Sequence, residues 1–215
     1  MSIAAIEAPS LGEGWLWTSR TILEQGALAD YDGQPTREVA LLTLSVERPS
    51  SDDPIIAELG DAEWLAWMHD NFFVQKDVPE LGDAKSYAVR LFNYAGNGHD
   101  QIAWAIERLR ADPASRSATI TTFQPLTDTA YIPCVSMLDF WRPHGALELV
   151  VYAHSLDFGK KAYGNLVELT RIQEHVAVEL GAPVGRLVVH AKSAHVYEPE
   201  WELMARLAGV AESVS

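Results

Sequence analysis

Cys134 is the only cysteine among 215 residues, and the polar residues that could serve its thiolate follow it in a short run: His154-Ser155-Leu156-Asp157, then Asn165, then His195-Val196-Tyr197. A lone thiol cannot close a disulfide within one chain, so its value lies in packing or in reactivity. The polar company favours reactivity, that is, covalent catalysis by a sulfur nucleophile. Singly, each residue has a plainer reading. A free cysteine is commonly a small buried hydrophobe, an isolated histidine a structural one, Asn165 a helix cap and Asp157 a turn former. The order and spacing of the whole set argue for a site. A Cys-His pair, Cys134 with His154 or His195, would suit a hydrolase or transferase instead, although no thiol-hydrolase signature surrounds Cys134.

The formal net charge of -14 excludes a broad nucleic-acid groove, because displacing counterions from a polyphosphate needs a dense basic surface. A small anionic substrate held by two or three local arginines remains compatible with it. With 48% hydrophobic and 21% charged residues the chain reads as an ordinary soluble protein. No apolar run approaches the roughly 20 residues needed to cross a bilayer. The start, Met1-Ser2-Ile3-Ala4-Ala5-Ile6-Glu7, lacks a basic stretch and a long apolar core, and one thiol suits a reducing compartment, so the expected location is cytoplasmic.

The elements that must position the set can be read from periodicity. Residues 1–14 are expected to be loose. Helices are expected over 15–26, ending at Gly26, over 61–72, over 100–110, and over 165–180, closed by Gly181. Strands are expected over 38–46, 118–123, 134–141 and 185–191, with a hairpin through Pro143-His144-Gly145 into 146–152. Residues 49–54 form a loop and 78–82 an irregular connection. The expectation is one domain over 1–215 of α/β type, in the α+β sense: a mixed sheet packed with helices, with the polar candidates at strand ends and helix starts.

Pro133-Cys134, then Ser155-x-Asp157, then Asn165 opening a long helix, then His195-x-Tyr197 resembles the thymidylate synthase family, without a gap from Pro133 to Tyr197. Upstream, His99-Asp100-Gln101-Ile102, Asp112-Pro113-Ala114-Ser115-Arg116, Tyr87 and Ile22-Leu23-Glu24-Gln25-Gly26 extend the likeness, while 27–80 is loosely placed. The resemblance implies that Cys134 adds to C6 of a pyrimidine and that C5 then attacks the methylene carbon of 5,10-methylenetetrahydrofolate. It casts Cys134, Asp157, Asn165 and Tyr87 as catalytic. Asn165 would hold the O4 and N3 edge of the ring, and suits uracil rather than cytosine. Asp157 would contact the cofactor's pterin; His195 and Tyr197 the sugar hydroxyl; Ser155, His154 and Arg116 the phosphate. No metal is implied. The partners implied are a pyrimidine nucleotide or nucleoside, folate, and a second copy of the chain joined through the sheet faces, which would explain Leu147-Glu148-Leu149-Val150-Val151 being apolar on both sides; the alternative is a sheet covered by helices on both faces.

Departures from the family pattern shape the expectation further. His154 stands where the family has an arginine that clamps phosphate and keeps positive charge beside the thiol, and a histidine does so only when protonated. Activity should then fall as pH rises through the imidazole's titration. The arginine pair is halved to Ser115-Arg116, leaving Arg37 and Arg116 as phosphate ligands, the second across a dimer. Asp139 replaces a glutamine and has no assigned role. The chain stops 18 residues after Tyr197, where the family continues into a tail that closes over folate. Closure excludes water, so its lack would favour water capture of the methylene. The expected product is 5-methyl; the alternative is 5-hydroxymethyl, as in the pyrimidine hydroxymethylase branch. A remoter alternative is a homologue that binds nucleotide without catalysis.

Overall fold

The strand Leu147–Ala153 shows how the sheet is specified: Leu147, Leu149, Val151 and Ala153 are buried, while Glu148, Val150 and Tyr152 point to the other face. Alternation of this kind commits each strand to one core face, because successive side chains project oppositely. The computed structural model describes residues 4–31, 33–74, 76–82, 84–129 and 131–210.

In chain order the elements are β1 (Ala4–Ala8), α1 (Leu11–Gln25), β2 (Ala27–Tyr31), β3 (Gln34–Val46), α2 (Pro54–Leu59), α3 (Ala62–Phe73), β4 (Asp77–Val78), β5 (Ala84–Lys85), α4 (Tyr87–Phe92), α5 (Gln101–Ala111), β6 (Ala118–Thr121), β7 (Val135–Trp141), β8 (Leu147–Ala153), β9 (Leu156–Asp157), α6 (Ala162–Glu179), β10 (Val184–Tyr197) and α7 (Trp201–Ala208). The main sheet is mixed, in the order β1-β3-β10-β8-β7-β6, with β2 paired to β3 and β9 to β10. β10 runs parallel to β8 and β9 and antiparallel to β3. This is the α/β architecture that the periodicity predicts.

One face of the sheet packs a core of Leu42, Leu44, Val46, Leu138, Phe140, Leu149, Val151, Leu187 and Val189 with helix residues such as Trp15, Ile22, Leu166 and Leu169. The other face presents Glu148, Val150 and Tyr152 beside Met137, Asp139 and Trp141 of β7 and Val188 and His190 of β10, as the ladder registers require. Trp141 and Tyr152 are exposed there, as is Leu41, whose φ of 56° is unusual for a leucine. Leu41 and Lys192 fall between the paired positions Leu42/Ala191 and Ala40/Ser193, so both strands carry an irregularity at the same level.

Three expectations need correction. Residues 4–8 are not loose: they form β1, paired in parallel with Leu42–Val46, and α1 starts at Leu11, capped by the Ser10 hydroxyl on Glu13 N. An Ala-rich pentapeptide has little intrinsic strand signal, so β3 supplies the order. Met1–Ile3 lie outside the described residues. Second, α6 begins at Ala162, which puts Asn165 inside the first turn rather than at the cap. Third, β10 does not stop near Ala191. It continues to Tyr197 because β9 and the first half of β3 pair with it, which places His195 and Tyr197 within the strand.

Candidate active site

Cys134 lies at the entry to β7, half-buried, with its carbonyl accepting the backbone N–H of His154 at 3.0 Å. That bond joins the two loops bearing the thiol and the Ser-x-Asp segment, and the Ser155 hydroxyl lies 4.0 Å from the sulfur. Burial first, then the negative charge of nearby Cys134, pushes the Tyr131 ionisation well up. Tyr131 therefore stays a donor.

Tyr87 opens α4, where Ser86 caps the helix and Asn71 Oδ1 accepts the Tyr87 N–H at 3.1 Å. Its ring stacks on Phe72 at 4.4 Å, and its hydroxyl accepts from Val135 N, next to the nucleophile, at 2.9 Å. Burial, then the charge of Cys134, raises its ionisation too. Behind both tyrosines Arg90 is buried, bidentate on Asp128 at 2.7 and 2.9 Å and donating to Thr122 O at 2.8 Å.

The second half of the site is built on the end of β10. His195 and Tyr197 alternate with Val196, so both project to one side, with rings 5.0 Å apart at 81°. Burial, more than any charge, pushes the His195 imidazole down, and its Nδ1 lies 3.3 Å from Ser193 Oγ. Asp157 pairs with His195 in the β9–β10 ladder. Its Oδ1 accepts from Gly159 N at 3.0 Å and Lys160 N at 3.2 Å. Burial first, then the Glu200 charge, raises its pKa to about 6 against the pull of Lys161 and those two N–H groups. Asn165 is buried with Nδ2 donating to Lys161 O at 3.0 Å, and its Oδ1 takes no hydrogen bond from the described residues. Gly164 before it leaves little room for a side chain. A Cβ there would meet Met68 Cβ at 3.1 Å, so glycine lets α3 close on the start of α6.

Several candidates are placed differently from the sequence expectation. Burial, then Lys192, lowers the His154 imidazole, whose Nδ1 is 3.3 Å from Ser136 Oγ, so the cation expected beside the thiol is not held there at neutral pH. Arg37 pairs with Val196, and directly opposed residues share a face. It is thus turned away from His195 and Tyr197, with its guanidinium 5.3 Å over Trp201. Arg116 is exposed in the turn before edge strand β6. Asp139 accepts from Thr119 Oγ1 at 2.9 Å on the face of the sheet opposite the core. Tyr131, Arg90, Asp128 and Lys161 went unpredicted; only the closeness of Tyr131 to Cys134 along the chain hinted at any of them. A cavity of about 520 Å³ between α2, α3 and α6, lined by His69, Glu168 and Arg171, holds none of the predicted residues. Among the described residues no cluster of three or more His, Cys, Asp or Glu could hold a metal ion.

Comparison with known proteins identifies the family. The family profile described as thymidylate synthase matches residues 50–209. A Methanothermobacter thermautotrophicus protein named "Putative thymidylate synthase" is 31% identical over 207 residues, covering 90% of this chain and 93% of its own. A protein of the same name from Methanosarcina acetivorans is 30% identical, covering 94% of this chain and 93% of its own. A deoxyuridylate hydroxymethyltransferase of Bacillus phage SP01 is 35% identical over 111 residues, 49% of this chain and 29% of its own. With the profile spanning most of the chain and the cysteine, aspartate, asparagine and histidine brought onto adjoining elements, the chain belongs to the thymidylate synthase family and is a transferase.

Proposed function

We propose that the protein transfers a one-carbon unit from 5,10-methylenetetrahydrofolate to C5 of a uracil-type pyrimidine nucleotide or nucleoside, through a Cys134 adduct at C6, giving a 5-methyl product. The observation that carries this reading is the buried Asn165 amide, whose Oδ1 has no partner among the described residues while Nδ2 is anchored on Lys161 O. A buried acceptor without a partner costs about 1–3 kcal/mol, which a ring N–H would recover on binding.

Cys134 attacks with its sulfur half-buried, open enough to meet a ring and within 4.0 Å of the Ser155 hydroxyl. Asn165 orients the pyrimidine by its amide, and charge developing on O4 is met by the second Nδ2 hydrogen. His195, neutral at pH 7, and Tyr197 hold the sugar. The residues fit a pterin: Asp157 Oδ1 is already bonded twice, so its remaining oxygen is available to a donor. When bound, the folate supplies the carbon at the oxidation level of formaldehyde.

A second reading, favoured by the local match to the phage hydroxymethyltransferase, keeps the adduct and lets water capture the carbon to give a 5-hydroxymethyl product. Release of tritium from C5-labelled pyrimidine nucleotides, with mass spectrometry of the product, tests both. A 5-methyl product with dihydrofolate supports the first and a 5-hydroxymethyl product with tetrahydrofolate the second. No release from any uridine or cytidine nucleoside or nucleotide overturns both. Cys134→Ala should abolish release while changing stability by less than about 1 kcal/mol.

The same reading takes the chain as a single domain working as a homodimer through the sheet face that carries Trp141, Tyr152, Val150 and the outturned Leu41, which would bring Arg116 of a partner toward the phosphate. Sedimentation at micromolar concentration tests the dimer. No helix of the described residues is long and apolar enough to cross a membrane, and a cytoplasmic location is part of the proposal.

A further inference from the structure

Glu168, three residues after Asn165 on α6, is buried and takes no part in the chemistry proposed around Cys134. An apolar side chain there would close the contact between α3 and α6, and a buried carboxylate is costly unless its partners satisfy it. Its partners do so incompletely. Oε2 lies 3.2 Å from His69 Nδ1, and Oε1 lies 3.5 Å from Arg171 Nε, a nitrogen that is itself buried without a hydrogen bond. Burial accordingly pushes the Glu168 carboxyl up, against the pull of His69 and Arg171. The terminal nitrogens of Arg171 have no partner among the described residues.

Both side chains open into the cavity of about 520 Å³ between α2, α3 and α6, a volume typical of small-molecule sites. One wall of it is apolar, built from Ile56, Ala57, Leu65 and Val167. Asp52 stands exposed at the rim, whereas Asp53 is saturated by the N–H groups of Gly12, Ile55 and Ile56. The rim loop is tied down on α6, with Ser51 N and Oγ donating to the Glu174 carboxylate at 3.0 and 2.7 Å. A fixed cavity thus offers one buried acid, one unoccupied guanidinium fork and an apolar wall.

We propose that this cavity reversibly binds a small zwitterion, an α-amino acid with an apolar side chain, its carboxylate on the Arg171 fork, its ammonium on Glu168 and its side chain along Ile56, Leu65 and Val167. Three residues apart on one helix, Glu168 and Arg171 are neighbours on the same face, so the ligand's opposite charges must also lie close together. An α-amino acid meets that condition. A plain carboxylate would face Glu168 and Asp52 unpaired, and a plain amine would be set beside the Arg171 cation. A planar guanidinium with both terminal nitrogens free suits a carboxylate bidentately. The site is separate from the pyrimidine and folate contacts, and its occupancy can be read without either.

Isothermal titration of the full-length protein with L-leucine, L-methionine and L-phenylalanine tests it. At least one should bind, and its amide and its N-acetyl derivative, which remove one charge each, should bind about tenfold more weakly or not at all. Glu168→Gln and Arg171→Met should each weaken the amino acid by about tenfold. On the unaltered protein, saturating ligand should slow diethyl pyrocarbonate modification of His69, read by peptide mass spectrometry, and leave the exposed His144 unchanged. No binding by any of the three at millimolar concentration overturns the proposal, as does equal binding by the amide or the N-acetyl form. Unweakened binding in folded Glu168→Gln overturns it too. Should that variant not fold, the analogue series and the protection of His69 decide, and an unprotected His69 places the ligand elsewhere and refutes the site.

Discussion

Asn165 Nδ2 donates to the carbonyl of Lys161, four residues earlier in the chain, at 3.0 Å, and this single bond orients the amide so that its acceptor faces away from the helix backbone. The helix that would otherwise be capped by Asn165 instead starts at Ala162, and Oδ1 is left without a partner among the described residues, as the proposed pyrimidine contact requires. Asn165→Ala should therefore change stability little while lowering kcat/KM for the pyrimidine by about 10- to 100-fold, the worth of one or two hydrogen bonds made in a desolvated site. Steady-state kinetics beside thermal melts would check the split. A loss confined to stability would refute the role.

Asp157 should set the acid limb of the pH profile. Its carboxyl titrates at about 6, and only the ionised form is a pure acceptor for a pterin donor. The KM for the folate should rise as pH falls below about 6, with the KM for the pyrimidine less affected. Because His154 is held neutral by burial and Lys192, no decline is expected as pH rises from about 6.5 to 8, contrary to the sequence expectation. A fall over that range, absent in His154→Gln, would restore the charge role to His154.

The same aspartate should cost stability. Its folded pKa, about 6, is above the ordinary 3.8, so the folded state binds more protons than the unfolded chain between those values and stability falls as pH rises through them. Above pH 6 the cost is constant. Asp157→Asn, which keeps an acceptor for Gly159 and Lys160, should raise unfolding free energy by on the order of 2 kcal/mol at pH 8 and by little at pH 4 while removing activity. Urea titrations at the two pH values test it, and equal effects at both would contradict the linkage.

Arg90 and Asp128 form a buried pair, with Arg90 also serving two carbonyls. Arg90→Leu leaves an unpaired carboxylate and two orphaned acceptors, and should cost about 3–5 kcal/mol. Arg90→Leu with Asp128→Asn should recover part of that. Chemical denaturation of both variants measures it, and a neutral single substitution would show that the pair carries little.

The family of this protein, and with it the chemistry proposed above, is legible in its sequence because that reading depends on residue types in a fixed order. Cys134, Ser155, Asp157, Asn165, His195 and Tyr197 are named by their functional groups and spacing. The mixed sheet was legible because alternation such as that of Leu147–Ala153 is a property of one strand. What lies across strands was not. Whether Arg37 faces the site depends on its register with Val196, nearly the whole chain away, and β1 is ordered only by β3. Nor does a histidine's position along the chain carry its protonation, which at His154 follows from burial and from Lys192 on another strand. Tyr131 and Arg90 line one cleft with Tyr87 and Pro133 because α4 and the 122–128 turn close on it, and that closure is a property of packing rather than of spacing.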